Sequence, residues 1–350
     1  MFDVAIVGSG PAGASCAAHC ARAGLRTLLL ERETFPREKV CGDCLNPACW
    51  PVLERLSLGE RVRDLPHGTL ERVEFVAIGG RTISVSLPPG AEIAVKRSLF
   101  DHLLMKRAVE LGAEVRQATV SGLTPPDGSG DSWKIGTSEG ETATQVLVAA
   151  DGRNSTVARL LGLLPRIEKE RVGLQTHLPL PENFGPRVVL QFLPEGYSGQ
   201  APVGDGELNL CLVGRPADMP ALRQWAQVQF DVSPMHIWRT ITPLRRAPLP
   251  PAHRQLFLVG DAARVVEPFT GEGIFYALRS GELAAEAIIS GGSYAEAHAQ
   301  LYRGRLWVNR LARAAVLSPR FTSTLLQAGL LRPTLLSALT SKIVPGSARL

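Results

Sequence analysis

Long apolar runs and cysteine-rich patterns are both missing from this chain of 350 residues. No window reaches the roughly 18 unbroken apolar residues that a membrane-spanning helix requires, which argues against an integral membrane protein. The start of the chain predicts no signal peptide, because Asp3 brings charge early and the first apolar run leads into a glycine motif. Six cysteines are too few for a disulfide scaffold at this length, so we expect a reducing, cytoplasmic environment.

Aromatic residues, at 6% of the chain, and paired metal-binding patterns are also scarce. With so few aromatics beside its arginines, the chain is a weak candidate for nucleic-acid binding. Cys41, Cys44 and Cys49 cluster, yet no nearby His-x-x-x-His or second Cys-x-x-Cys completes a zinc set. We therefore predict neither nucleic acid as a partner nor a bound metal.

Acidic residues are absent after Glu296, so the net charge of +5 is unevenly distributed. A basic, leucine-rich end of this kind suits an anionic membrane surface or a phosphate-bearing partner. The simpler interpretation is that basic helices pack on the body of the protein and leave their arginines in water. Both interpretations stay open, so the chain is expected to be cytoplasmic or peripheral to a membrane. The basic residues are Arg303, Arg305, Arg310, Arg313, Arg320, Arg332, Lys342 and Arg349.

A glycine turn near the start carries the first sign of chemistry. Phe2–Val7 is a short apolar strand, GSGPAG follows, and an alanine-rich helix leads to a second strand ending at Glu31. In G-x-G-x-x-G the first glycine permits a tight turn, the second lets backbone approach a pyrophosphate, and the third lets helix pack on strand. Glu31 lies 18 residues after the last glycine, where a carboxylate accepts ribose hydroxyls. This right-handed βαβ unit predicts dinucleotide binding by Gly8, Gly10, Pro11, Ala12, Gly13 and Glu31.

A second glycine-rich region, LFLVGDAARVVEPFTGEGIFYAL, indicates a long cofactor with a ribityl chain. Asp261 ends a buried strand, where its carboxylate can bond a ribityl hydroxyl. The following Pro-x-x-Gly-x-Gly opens a helix whose N-terminal dipole would stabilise negative charge on a reduced flavin. The flavin-binding residues predicted here are Gly260, Asp261, Pro268, Gly271, Gly273 and Ile274.

The remaining segments alternate between two kinds of sheet. VEFVAIGG and RTISVSL predict a hairpin, AEVRQATVSGL predicts one strand, and QVLVAADG predicts a buried strand. Residues 188–192 and 207–213 predict strands of a separate sheet, and helices are expected from Gly273 onward. We therefore expect discontinuous domains: a nucleotide-binding domain over residues 1–72, 93–165 and 252–292, a substrate domain over residues 73–92 and 166–251, and a helical segment over residues 293–350.

Three segments in this order resemble the flavoproteins that group para-hydroxybenzoate-hydroxylase-type monooxygenases, flavin-dependent halogenases and geranylgeranyl reductases. They are GSGPAG with Glu31 and Arg32, ADGRNSTVAR, and GDAARVVEPFTGEGI. Arg97, in VKRSLFDHLL, matches an arginine of that family that contacts the cofactor. The resemblance covers most of residues 1–165 and 250–290. It implies tightly bound FAD, NAD(P)H as a transient reductant, and an α/β fold of mixed α+β character. That fold would join a glutathione-reductase-like Rossmann FAD domain, a mixed β-sheet substrate domain and C-terminal helices.

Two cysteines at Cys-x-x-Cys spacing occur in KVCGDCLNP. The first of them, Cys41, lies ten residues after Glu31. A redox dithiol is one interpretation, but disulfide reductases carry a second dinucleotide fingerprint for NAD(P)H, and none occurs in this sequence. PREKVCG is instead similar to the loop that geranylgeranyl reductases and related hydroxylases place beside the flavin. The resemblance therefore implies that Cys41 and Gly42 are catalytic residues of a flavin-side loop, with Cys44 merely packed.

The substrate motifs of the family are only partly present. The halogenase motif W-x-W-x-I-P is missing, and of the reductase box Y-x-W-x-F-P only Tyr197 and Pro202 remain in GYSGQAP. We therefore predict an FAD-dependent oxidoreductase, first of all an NAD(P)H-dependent monooxygenase that hydroxylates an apolar or aromatic small molecule through a flavin C4a-hydroperoxide. The alternative is an ene-reductase of an isoprenoid or lipid double bond. A flavin/dithiol oxidoreductase and a non-catalytic flavoprotein rank below both.

Overall fold

The computed structural model describes residues 1–128, 132–165 and 170–331, together with residues 334, 336 and 337. In chain order its strands are β1 (Phe2–Val7), β2 (Thr27–Glu31), β3 (Cys44–Leu45), β4 (Gly68–Leu70), β5 (Arg72–Val76), β6 (Thr82–Ser86), β7 (Glu92–Ala94), β8 (Glu114–Gln117), β9 (Val120–Thr124), β10 (Trp133–Thr137), β11 (Gly140–Ala149), β12 (Val172–Pro179), β13 (Arg187–Leu193), β14 (Gly196–Gly204), β15 (Glu207–Gly214), β16 (Arg239–Ile241), β17 (Ala252–His253) and β18 (Leu256–Leu258). Its helices are α1 (Pro11–Arg22), α2 (Cys49–Arg55), α3 (Gly59–Arg63), α4 (Arg97–Glu110), α5 (Thr156–Leu160), α6 (Met219–Phe230), α7 (Gly273–Ser290), α8 (Tyr294–Tyr302), α9 (Leu306–Leu317) and α10 (Pro319–Gln327).

The first sheet is built around the glycine turn. Its strand order is β17-β18-β11-β1-β2-β8, and β1 runs parallel to both of its neighbours. Strands β1 and β2 are continuous apolar runs because both faces of this sheet are covered. Val4 and Ile6 pack in one core with α1, α4 and α7, whereas Ala5 and Val7 pack in another with β9, β10 and α5. The glycine turn therefore leaves the sheet at the carboxyl end of a buried parallel strand.

The second sheet has the order β16-β12-β15-β14-β13-β5-β6. It is antiparallel except for the parallel pair of β13 and β5. Helix α6 covers one face, where Leu222 and Ala226 pack against Leu212. On the other face Val316 of α9 packs in one cluster with Phe192 of β13. A small sheet, β3-β7-β4, packs against β14 and joins the two larger sheets along the chain.

Most of the predicted elements are present, and the mixed α/β fold is confirmed. The hairpin is formed by β5 and β6, and the two strands predicted for a separate sheet are β13 and β15. The prediction of one strand in AEVRQATVSGL was wrong, because this segment forms two. Strand β8 follows β2 in parallel, whereas β9 leaves that line to pair with β10, which buries Val120 beside Trp133.

The C-terminal segment is helical as far as it is described. Helices α8, α9 and α10 extend to Gln327, and Arg313 forms an ion pair with Glu170 on the body of the protein. Up to Gln327, therefore, the basic helices pack on the body of the protein, as the simpler interpretation of the sequence predicted. Much of the leucine-rich stretch after Gln327 lies outside the described residues. The domain boundaries and the membrane or phosphate-bearing partner stay predictions. No described helix combines the length and apolarity needed to cross a membrane.

We predict that the crossing of α1 and α7 depends on Gly281. A Cβ atom at this position would lie 2.1 Å from the carbonyl oxygen of Ala12, a backbone atom that cannot rotate away. Gly281→Ala should lower the free energy of unfolding by about 1–3 kcal/mol, because overpacking forces the helices apart. Chemical denaturation measures this effect. Gly122→Ala is the matched control, since a Cβ at that position meets no atom within 4 Å. Equal stability of the two variants would contradict the prediction.

Candidate functional site

The three glycines of the first motif have different structural roles. Gly8 has φ of +100°, and a Cβ on it would lie 2.7 Å from the carbonyl oxygen of Ala150. A Cβ on Gly13 would lie 1.9 Å from the oxygen of Gly8. A Cβ on Gly10 would meet only the guanidinium tips of Arg37 and Arg97, at 3.7 and 4.0 Å. Gly8 and Gly13 therefore let the turn pack, whereas Gly10 faces a space edged by positive charge.

Three basic side chains gather beside Gly10. Arg97 makes two hydrogen bonds of 2.7 Å to the buried carboxylate of Asp101, and Nη1 of Arg37 lies 3.0 Å from the same carboxylate. Lys39 Nζ lies on the other side of the turn, 3.4 Å from where a Cβ on Gly152 would stand. Burial, together with the charges of Arg97 and Arg37, lowers the pKa of Lys39 to about 8. A bound anion would relieve this excess of positive charge.

This donor set fits the pyrophosphate of a dinucleotide. The N-terminus of α1 starts at the same turn, and no side chain caps its N–H groups. Arg97 was predicted from the sequence, whereas Arg37 and Lys39 were missed. The signal for them was the basic run PREKV between the ribose-type acid and the cysteine pair.

Glu31 and Arg32 lie at the end of β2. Glu31 is buried, and its two carboxylate oxygens accept backbone N–H groups of Ser9 at 2.8 Å and Glu33 at 3.0 Å. Each oxygen retains a further lone pair, so the carboxylate still suits ribose hydroxyls. Arg32 is exposed and its Nε lies 3.2 Å from Glu33. Ribose binding by Glu31 and cofactor contact by Arg32 both stay predictions.

The second glycine-rich motif packs against the first turn of α1. The turn Gly260–Ala262 follows β18, and a Cβ on Gly260 would lie 3.0 Å from the side chain of Ala12. Asp261 accepts a 2.9 Å hydrogen bond from Nη2 of Arg153, which belongs to the ADGRNSTVAR motif. Helix α7 begins at Gly273, as predicted, and no side chain caps its N-terminus. All three motifs therefore meet at the start of α1, although Gly10 and Gly260 are 250 residues apart in the sequence.

One cavity of about 850 Å³ joins the predicted site residues. Its polar end is lined by Gly10, Pro11, Ala12, Cys41, Gly42, Arg97, Asp261, Pro268, Gly271, Gly273 and Ile274. Gly8, Gly13, Glu31, Arg32 and Gly260 do not reach it. Its other end is apolar and runs between the second sheet and helices α9 and α10, with Phe75, Leu190, Phe192, Phe269, Leu311 and Phe321 among its lining. The glycine cradle, the basic cluster and the two uncapped helix N-termini together fit FAD at the polar end.

The apolar end is wider than the reductase box would predict. Tyr197 packs edge-on against Phe269, with ring centroids 5.1 Å apart. Gly199 and Ala201 stand at the two aromatic positions of the box, and both line the cavity. Two large rings are thereby replaced by small residues. The small side chains of Gly199 and Ala201 therefore leave space in which a substrate would fit.

The loop of Cys41 and Gly42 lies at the junction of the two ends. The carbonyl oxygen of Cys41 accepts a 2.8 Å hydrogen bond from Nδ2 of Asn209, and Sγ of Cys44 donates to the carbonyl of Gly42 at 3.3 Å. All six cysteines are free, and Cys44 lines the cavity as well as packing beneath it. Burial raises the pKa of both Cys41 and Cys44, so they are thiols at neutral pH. This disfavours a dithiol mechanism, which requires a thiolate.

Metal ligation finds no support in the described ranges. Among those residues, no three His, Cys, Asp or Glu side chains are grouped to hold an ion.

Comparison with known proteins agrees with this geometry. Residues 1–180 match the FAD binding domain family. The menaquinone reductase of Mycolicibacterium smegmatis is 32% identical over 321 residues, which cover 83% of this chain and 77% of that protein. Digeranylgeranylglycerophospholipid reductase 2 of Methanopyrus kandleri is 30% identical over 321 residues, covering 82% of this chain and 78% of that protein.

Solved structures share the fold. A flavin-dependent brominase superposes with a TM-score of 0.76 at 22% identity, covering 98% of this chain and 94% of that one. A geranylgeranyl bacteriochlorophyll reductase-like protein from Thermoplasma acidophilum gives a TM-score of 0.74 at 20% identity, covering 99% and 92%. Both likenesses extend over the C-terminal helices as well as the two sheets.

We predict that Gly10→Val and Gly13→Val separate cofactor binding from folding. In the described part of the chain a Cβ at Gly10 meets only the guanidinium tips of Arg37 and Arg97 within 4 Å, so a valine is expected to fill the space beside them. It should weaken FAD binding by about tenfold or more, a loss of at least about 1.4 kcal/mol, while the cofactor-free protein stays folded. Gly13→Val should instead cost about 3 kcal/mol in unfolding free energy. Fluorescence titration with FAD and thermal unfolding measure the two effects, and unchanged FAD affinity in Gly10→Val would refute the assignment.

We also predict unequal roles for the two loop cysteines. Cys41→Ser should impair turnover with FAD still bound, whereas Cys44→Ser should have a smaller effect, because Cys41 lines the cavity together with Arg97 and its carbonyl is fixed by Asn209. Flavin absorbance and steady-state turnover measure this difference. Equal losses in both variants, together with a long-wavelength thiolate–flavin band on mild reduction, would instead establish the dithiol.

Proposed function

Since this chain belongs to the FAD binding domain family and is an FAD-dependent oxidoreductase, we propose that it reduces a carbon–carbon double bond in a long apolar substrate of the isoprenoid class. The observation that carries this proposal is the cavity. It leads without interruption from the residues that fit FAD to a long apolar end between the second sheet and helices α9 and α10. A volume of about 850 Å³ is at the upper end of the usual range for small-molecule sites.

The relatives support the same substrate class. The two described above are named for menaquinone and for a digeranylgeranyl lipid, and both of these molecules carry isoprenoid chains. Gly199 and Ala201 widen the cavity where the reductase box has aromatic rings, so a chain that bears a bulky ring or headgroup is accommodated. An apolar wall of this kind binds a hydrocarbon chain mainly by removing it from water.

The chain's own residues bind, orient and exclude water. Bound FAD supplies the hydride-transfer chemistry. Arg37, Lys39 and Arg97 would hold its pyrophosphate, and the N-terminus of α7 would lie at its ring end. The aromatic cluster around Phe269, within 6.4 Å of Phe75 by ring centroids, would keep the substrate chain dry beside it. NAD(P)H as the reductant stays a prediction, as the sequence contains no second dinucleotide fingerprint.

Monooxygenation of an apolar or aromatic molecule, which the sequence analysis favoured, stays the second candidate. The same cavity would admit such a substrate. The two reactions differ in what they add: a reductase adds two hydrogen atoms without O2, and a monooxygenase adds one oxygen atom from O2.

We predict that FAD-loaded protein reduces the polyprenyl chain of menaquinone in detergent micelles. The flavin would be reduced with dithionite under anaerobic conditions, and the product would be reoxidised in air before mass spectrometry, so that reduction of the quinone ring is reversed. A side chain that has gained two hydrogen atoms supports the proposal. In a parallel reaction with NAD(P)H and air, oxygen incorporation that requires O2 would establish the monooxygenase, and no product in either reaction would contradict the isoprenoid class.

A cavity-blocking variant provides the control for this assay. A Cβ on Gly199 would lie 3.9 Å from both Cys211 and Leu190, so the position admits a side chain that projects into the apolar end. Gly199→Trp restores an aromatic ring of the reductase box, so it should retain FAD and lower turnover of menaquinone, whose ring needs that space. Unchanged turnover would show that the substrate does not occupy this cavity.

A further inference from the structure

A polar cluster lies between the flavin-side loop and the second sheet. Oδ2 of Asp43 accepts hydrogen bonds from Nδ2 of Asn209 at 2.6 Å and from Nε2 of His177 at 2.9 Å. His177 and Asn209 are directly opposite each other on the paired strands β12 and β15, which brings both side chains to the loop. Asp43 is 1% exposed, whereas the side chain of His177 is 10% exposed. The cluster therefore connects a buried carboxyl to a histidine that retains some exposure.

The second oxygen of Asp43 is not satisfied by the described part of the chain. Oδ1 is buried and has no hydrogen-bond partner there, and Asp43 lines the cavity. Its backbone has φ of +61°, a left-handed conformation that non-glycine residues adopt at a cost. An unpaired buried oxygen adds a second cost. Two costs at one residue that borders the flavin-side loop indicate a functional rather than a packing role.

The charges around this carboxyl come from every element packed against it. Burial raises the pKa of Asp43, while the hydrogen bond from His177 and the charge of Arg97 on α4 act in the opposite direction. The neighbouring thiols of Cys41, Cys44 and Cys211 have pKa values raised by burial and are uncharged at neutral pH. Glu92 on β7 has its pKa raised to about 7 by burial. The pKa of Asp43 is therefore raised above that of an exposed aspartate, with burial as the largest cause.

We propose that Asp43 and His177 form a proton-delivery pair that carries a proton from solvent into the cavity beside Cys41 and Gly42. The O–H bond at Oδ1 of Asp43 breaks and its proton bonds to an acceptor in the cavity. The carboxylate then takes the Nε2 proton of His177 while Nδ1 takes a proton from hydronium in the solvent, so the ring stays neutral. Rotation of the carboxyl returns the proton to Oδ1. Uptake of a solvent proton at Nε2 and release of the Nδ1 proton to water then restore the starting tautomer. Saturation of an alkene needs one such proton besides a hydride. The identity of the proton acceptor therefore rests on the proposed function, whereas proton transfer between His177 and Asp43 does not.

Infrared spectroscopy of the FAD-bound protein tests the pair without turnover. Above about pH 5, where exposed aspartates are ionised, a protonated-carboxyl band should remain that Asp43→Asn removes. Asparagine tolerates the left-handed backbone and keeps the side-chain shape. After transfer to D2O this band should shift as the proton exchanges. In His177→Ala and His177→Gln the shift should be at least about tenfold slower, and imidazole should restore it in His177→Ala. The tenfold figure corresponds to about 1.4 kcal/mol of barrier.

A neighbouring histidine provides the matched control. His236 contacts Oγ1 of Thr176, the residue before His177 on β12, and makes no contact with Asp43. His236→Ala should exchange at the rate of the unmodified protein. A band that is missing in the unmodified protein, or exchange that is unaffected by both His177 variants, would overturn the proposal. Recovery of the fast rate by His177→Gln alone would also overturn it, because glutamine can hold Asp43 in place but cannot carry a proton. Absence of alkene reduction with the predicted exchange behaviour would refute only the substrate proposal.

Discussion

The close approach of backbones around α1 is the constraint on which the site depends. Gly13 lies against Gly8 at the start of this helix, and Gly281 of α7 lies against Ala12 in its first turn. These contacts are made by main-chain atoms, which cannot move aside as a flexible side chain can. They hold the N-termini of α1 and α7 on the same cavity. Both helix dipoles therefore act on the same bound molecule.

Charge and apolar surface are separated along that cavity. Arg37 and Arg97 both pair with the buried carboxylate of Asp101 at one end, beside Lys39, while the other end is lined by aliphatic and aromatic side chains. This separation orients both molecules that the site would hold. The phosphates of the cofactor are attracted to one end, and a hydrocarbon chain is excluded from water at the other. The basic C-terminal segment contributes apolar side chains such as Leu311 and Phe321 to the wall.

Residues from two parts of the chain meet where the polar and apolar ends of the cavity join. Cys41, Gly42 and Asp43 come from the loop that leaves the nucleotide-binding part of the chain, while Asn209 and His177 reach them from the second sheet. The hydrogen bonds of Asn209 to both the loop carbonyl and the carboxylate fix the loop against the sheet. The loop and the second sheet are therefore held together by direct hydrogen bonds at this point.

The sequence by itself determined the FAD class and predicted the residues of the cofactor site. Gly8, Gly10, Gly13 and Asp261 carry signals that depend on short-range geometry, because a tight turn or a helix start constrains its own few residues. Tertiary structure alone decided the basic pair Arg37 and Lys39, the division of AEVRQATVSGL into two strands, and the partnership of Asp43 with His177 across 134 residues. Sheet register and the competition among buried polar groups select such partners, and neither leaves a local pattern in the chain. The chemistry-bearing contacts are long-range, whereas the cofactor fingerprint is local.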